Sequence, residues 1–179
     1  LLAHTENSRI FDNLKVEEII NKVFKGQGFQ DFTIQLSASY PKMEYCVQYR
    51  ESDLDFVLRL MEENGIYYYF EHSESKHNMV IIDRKSSQKP VPNLSKLNVY
   101  PLEAAARVNQ QHLVAWRAQR RYTTGKVCYN EYDYMKPKAS LKVDQNTILK
   151  VSYEKPEVYQ YPGRYVEKGD GDRMAKARQ

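Results

Sequence analysis

Apolar residues in the first third of the chain recur with a helical period. Val16, Ile19, Ile20, Val23 and Phe24 fall at i, i+3, i+4, i+7 and i+8, one stripe on an amphipathic helix. We place that helix at about residues 15–25. Asp12 or Asn13 is the expected N-cap, Glu17 and Glu18 suit the positive end, and Lys22 and Lys25 the negative end. Gly26 is expected to close it in the left-handed conformation. The period then shortens to two. Phe32 to Leu36 alternates apolar and polar, and Tyr45 to Tyr49 is rich in strand formers, with Tyr40 and Pro41 breaking the chain between them.

A second helical period follows in "RESDLDFVLRLMEENG". Leu54, Val57, Leu58 and Met61 form its stripe, broadened by Phe56 and Leu60. Ser52 is the expected N-cap, with Asp55 three residues on. Asn64 and Gly65 end the helix, because glycine tolerates the positive φ of the closing turn. Three tyrosines come next. As a strand, Ile66, Tyr68 and Phe70 share one face, and Tyr67, Tyr69 and Glu71 the other. "HNMVIID" from His77 is expected to pair with this strand as a hairpin. The tyrosines are expected to pack the hairpin against the preceding helix, so that Tyr68→Ala would cost about 3–5 kcal/mol. An exposed tyrosine platform for sugar or bases is the alternative.

From Lys85, "KSSQKPVP" is polar and carries two prolines, the best internal boundary. Beyond it the pattern becomes β-rich. "HLVAWRAQRRY" and "KVCYNEYDY" flank Thr123, Thr124 and Gly125 as a long hairpin, and "ASLKV" and "TILKVSY" are further strand candidates. "YQYPGRY" suggests a type II turn at Pro162 and Gly163. "GDGDRMAKARQ" opens a last helix, with Asp170 or Asp172 as cap. The pattern is α+β: helices on an antiparallel hairpin over residues 1–92, then a β-rich module with a C-terminal helix over residues 93–179. Both ends read as cut from a longer polypeptide.

Composition narrows the chemistry. Only 7 glycines occur, which excludes Gly-rich repeats and linkers. The net charge of +4 comes from interspersed residues of both signs; the one tight basic cluster, Arg117, Arg120, Arg121 and Lys126, reads as the solvated rim of a hairpin rather than a nucleic-acid surface. Cys46 and Cys128, each in an apolar strand, make neither a disulfide scaffold nor a cysteine-rich metal site, and suggest folding in a reducing compartment. No run approaches the roughly 18 apolar residues of a membrane helix, and no signal peptide is visible.

The four histidines are His4, His72, His77 and His112; His72 and His77 bracket the hairpin loop near Glu71 and Glu74, but spacing supplies no further zinc or copper ligand. The pairs Glu62/Glu63 and Asp53/Asp55 diverge on a helix instead of facing each other across a cleft. Neither a nucleophile elbow nor a phosphate-cradling loop occurs. No catalytic, cofactor or metal residues are assigned, and the chain is not expected to be an enzyme.

"YCVQYRESDLDFVLRLMEENGIYYYFEH", Tyr45 to His72, closely resembles the signature of the VgrG family of type VI secretion spike proteins, which are similar to phage baseplate hubs and late-control D proteins. "RIFDNLKVEEIINKVF", "EYDYMKPKASL" and "EVYQYPGRY" agree with that family in order and spacing. The resemblance implies a structural role: a hub segment of a homotrimeric puncturing spike that caps the hexameric Hcp tube and pierces a target membrane mechanically. It implies baseplate and effector proteins as further partners, and assembly in the bacterial cytoplasm followed by secretion. It also implies that residues 1–92 hold an α/β hub insertion and residues 93–179 part of a β-barrel module. Competing readings are a glycan- or nucleic-acid-binding module, a phage baseplate hub, or a cell-wall hydrolase.

Overall fold

The computed structural model describes residues 1–88, 90, 91, 94, 96–101, 109, 111–119, 124–146 and 156–178. They fall into two units, Leu1–Arg84 with Thr124–Gln179, and Lys85–Thr123. The polar break at Lys85 thus begins the smaller unit, whereas the β-rich stretch 93–179 is divided between the two. The strand candidate at 147–153 lies outside the described residues.

After a 3-10 turn at Leu2–His4 the larger unit has a strand that the periodicity did not show, β1 (Glu6–Leu14). It pairs antiparallel with β3 (Met43–Ser52), with a register shift between Asn7 and Arg9. Asp12 and Asn13 therefore lie in a strand and are not caps. The first helix, α1 (Val16–Gly26), starts from Lys15, whose backbone N–H is taken by the Glu18 carboxylate at 2.8 Å. Its five expected apolar positions are all buried. The left-handed glycine is Gly28, not Gly26.

The second helix, α2 (Asp53–Asn64), has the expected ends: Ser52 Oγ accepts from the Asp55 N–H at 3.0 Å, and Gly65 sits at φ +67°. Its buried face is Asp53, Phe56, Val57, Leu60 and Met61, while Leu58 turns outward. The face is thus rotated from the expected one. Phe56, stacked on Phe11 at 5.4 Å between ring centroids, marks its centre.

The strand after Gly65, β4 (Tyr67–His72), forms the expected hairpin with β5 (His77–Ile82). On its other side β5 pairs parallel with β2 (Phe32–Gln35), giving the order β2-β5-β4. Phe32, Ile34 and Met79 line the sheet face that meets the core of α1, α2 and Phe11, where Ile81 is fully buried. Tyr68 and Phe70 lie on the same face but at the edge strand, 38% and 49% exposed. Only Ile66 of that run belongs to this core; Tyr67 and Tyr69 are half-buried on the opposite face, and Tyr68 is not the packing that the sequence suggested.

In the C-terminal part, β8 (Lys126–Tyr129) is central, antiparallel to β9 (Val143–Asn146) and parallel to β10 (Glu157–Gln160). The last helix, α3 (Lys168–Ala177), follows Glu167 as N-cap, so Asp170 and Asp172 lie inside it. Val127, Tyr129, Leu141, Val143, Tyr165 and Ala175 form a second core there. Among the described residues β8 carries β9 on one edge and β10 on the other, and the Pro156 carbonyl accepts from Gly125 and Lys126 N–H; residues 120–123 of the hairpin expected around Gly125 lie outside the described residues. In the smaller unit, β6 (Asn98–Val99) pairs parallel with β7 (His112–Leu113). In "YPGRY" the positive φ belongs to Arg164 rather than Gly163, and the Tyr161–Pro162 peptide is cis. Gly163 is required for space: a Cβ there would lie 2.3 Å from the Tyr165 ring. A Cβ on Gly171 would meet the same ring at 2.6 Å.

Candidate functional site

The most developed polar constellation of the larger unit surrounds Asp53. As the first residue of α2 on its buried stripe, it carries a carboxylate into the core at a helix N-terminus. Its side chain is wholly enclosed. Oδ1 accepts from Gln48 Nε2 at 2.8 Å, Asn7 Nδ2 at 3.2 Å and Arg9 Nη2 at 2.5 Å; Oδ2 accepts from Gln27 Nε2 at 2.7 Å. Arg9 Nε also donates to Gln48 Oε1 at 2.9 Å. Burial pushes the Asp53 pKa up, but the Gln48, Asn7 and Gln27 donors and the Arg9 charge prevail and hold it below the usual carboxylate range. The cluster binds β1, β3, α1 and the start of α2 to one another. The stripe spacing i, i+3, i+4 placed Asp53 inside, and that was the overlooked signal.

A second set of contacts joins α2 to the C-terminal segment. Arg59 grips Glu51 with two nitrogens, at 2.5 and 3.2 Å, and donates to the Val47 carbonyl. Glu63 faces both Arg59, at 3.8 Å, and Arg164, at 3.6 Å. Arg173 of α3 donates to Asn64 Oδ1 at 3.0 Å and lies over the Tyr40 ring at 4.7 Å. The Tyr40 hydroxyl donates in turn to Asp83 at 3.2 Å, and Asp83 also accepts from the backbone N–H groups of Ser37 and Ala38. Burial and the Asp83 charge push the Tyr40 pKa up to about 12. Beside this seam is a cavity of about 300 Å³ that includes Arg59, Glu62, Glu63, Arg164 and Arg178 in its wall. Its charges are largely cross-paired, and nothing in it opposes two carboxylates across a cleft.

The remaining candidates assemble no reaction centre among the described residues. Cys46 and Cys128 are free and buried, and burial raises both thiol pKa values, which keeps them protonated. Among the described residues, Cys128, Asp144 and Glu157 are the one group of three potential ligands close enough to share an ion. The Lys126 ammonium already lies there, 3.2 Å from Asp144 and 3.4 Å from Glu157. Lys126 is therefore a structural cation and not part of a basic surface; Arg120 and Arg121 fall outside the described residues, and Arg117 is exposed. The Asp55 carboxylate accepts from the Ser52 hydroxyl at 2.7 Å while Asp53 is buried, so the pair diverges.

The outer face of the β1–β3 ribbon is apolar and open: Ile10, Tyr45 and Tyr49 are each at least 60% exposed. At the other sheet, His72 and His77 are brought together, Nδ1 to Nδ1 at 2.7 Å.

Comparison with known proteins gives a consistent set of matches. The sequence profile described as phage tail baseplate hub (GPD) matches residues 1–179. The type VI secretion system spike protein VgrG1b of Pseudomonas aeruginosa is 41% identical over 178 residues, covering 99% of this chain and 24% of the relative. VgrG1a of the same organism is 38% identical, covering 99% and 28%. The chain therefore spans about a quarter of the length of these relatives. Among solved structures, a tail protein from Neisseria meningitidis is similar in fold, with a TM-score of 0.57 at 11% identity, over 98% of this chain and 49% of that one.

Proposed function

The chain belongs to the phage tail baseplate hub (GPD) family, and on that premise we propose that it is a hub segment of a VgrG-type puncturing spike, acting mechanically. The observation that carries this is the match of spike proteins over nearly the whole chain at 38–41% identity. In this reading the larger protein is a homotrimer that caps an Hcp-like hexameric tube, takes baseplate and effector proteins as partners, assembles in the cytoplasm and is then secreted. Residues 1–92 supply the α/β insertion, and residues 93–179 the strands of a partial barrel with a closing helix that folds back on the insertion. The β1–β3 ribbon, which gains no third strand among the described residues and has an apolar outer face, supports burial in an assembly. The buried Asp53 cluster and the arginine seam suit a part that transmits force, since they tie separate elements by directed bonds.

A chimera tests this. The matching quarter of P. aeruginosa VgrG1b is replaced by residues 1–179 and expressed in a strain lacking its own VgrG1b. Restored trimers that bind Hcp rings, weighed as intact complexes, are expected. A folded chimera that stays monomeric and ignores Hcp sinks the reading. The exposure of Tyr68 and Phe70, edge to face at 5.8 Å, favours a second reading in which they contact a glycan. A glycan array on the intact chain, with Tyr68→Ala as control, separates it from the first.

A further inference from the structure

We propose that His72 and His77 form a binding site for a cupric or nickel(II) ion at the end of the β4–β5 hairpin. The two residues are directly opposed in the antiparallel register, the last pair before the loop. That loop is closed by Ser73 N–H donating to the Lys76 carbonyl at 2.8 Å, with the Ser73 hydroxyl on the same oxygen at 3.1 Å. The backbone thus fixes both imidazoles side by side. Phe70 stacks on His72 at 6.1 Å and 22°, which holds its ring from the other side. Both histidines are exposed, so an ion from solvent reaches them without unfolding.

The nitrogen separation selects the metal. Two nitrogens 2.7 Å apart, each about 2.0–2.1 Å from an ion, subtend about 80° at it. That is close to the cis angle of square-planar or octahedral coordination, which cupric and nickel(II) ions favour, and far from the tetrahedral angle of a structural zinc site. The proton balance is simple. With both rings neutral, one Nδ1–H is donated to the other Nδ1. Coordination needs a lone pair on each Nδ1, so that proton moves to Nε2 of its own ring. Rotation of the exposed rings, with the paired backbone keeping the two nitrogens near their present separation, aims both lone pairs at the ion; no net proton is released, and water fills the other positions. The Cys128 cluster does not compete on these terms, because Lys126 occupies it.

The test titrates Cu²⁺, and separately Ni²⁺, into the intact chain and into His72→Gln, His77→Gln and His4→Gln. Both hairpin variants replace exposed side chains and should melt as the parent does. The expected result is one ion per chain, weakened at least tenfold by either hairpin substitution and unaffected by His4→Gln. The electron paramagnetic resonance spectrum of the cupric form should show two imidazole nitrogens in the parent and one in each hairpin variant. Equal binding by parent and hairpin variants, or an adventitious ion only, overturns the proposal.

Discussion

Asp53 is a residue whose replacement should be felt strongly. Asp53→Ala would leave the Arg9 charge and three amide donors facing an apolar pocket, and is expected to cost about 3 kcal/mol, read from denaturant midpoints. Its pKa is lower in the fold than in the unfolded chain, where a carboxyl titrates near ~3.9. The stability it contributes is therefore fully present above that pH and is lost as pH falls through the lower folded value. Asp83, also depressed, adds to the same acid limb. Asp53→Asn should be less stable at neutral pH, with a shallower fall in melting temperature below about pH 4.

The aromatics divide at the same scale. Tyr165 is buried, with its hydroxyl on the Leu141 carbonyl at 2.7 Å and its pKa pushed up to about 12 by burial. Tyr165→Ala should cost about 3–5 kcal/mol by thermal melt, Tyr68→Ala only about 1 kcal/mol. A single-residue pattern distinguishes strand faces but not a central strand from an edge, and so misplaced Tyr68 in the core.

Elements with strong local signals were legible. α2 has its Ser52 cap, its apolar run and its Gly65 stop within 14 residues of sequence, and the structure reproduces all three. Gly65 is held twice over: by its positive φ, and by Ala177 of α3, whose Cβ an added methyl would meet at 2.8 Å. Gly65→Ala is therefore expected to cost at least about 1–2 kcal/mol from the left-handed conformation alone. β1 was illegible because "ENSRIFDNL" places Asp and Asn before a helical stripe, where they read as caps; only pairing with β3 makes the run extended. The neighbours of β8 were illegible for a related reason. Local turn chemistry cannot say which strands, far away in sequence, will occupy an edge.

Across the larger unit, the C-terminal segment is joined to the first 84 residues through Arg173, Arg164 and Gly65. The Arg164 pair is mostly exposed, so Arg164→Ala should change stability by under about 0.5 kcal/mol. Arg173→Ala removes a partly buried bond and the cover of Tyr40, and is expected to cost about 2 kcal/mol and to speed amide exchange in α3. The candidate chemistry follows the same division. The sequence put His72 and His77 across one hairpin loop, where they meet, and named the two cysteines, but not that Lys126 would sit among Cys128, Asp144 and Glu157.

The sequence by itself determined the α+β class, both early helices with their apolar faces in outline, the β4–β5 hairpin and the family. Each is encoded in neighbouring residues, in periods, caps and contiguous motifs. Tertiary structure alone decided the parallel β2–β5 and β8–β10 pairings, the gathering of four donors around Asp53 and the clamping of Tyr165 between two glycines. These depend on groups far apart along the chain, whose meeting is set by the summed packing of the whole unit.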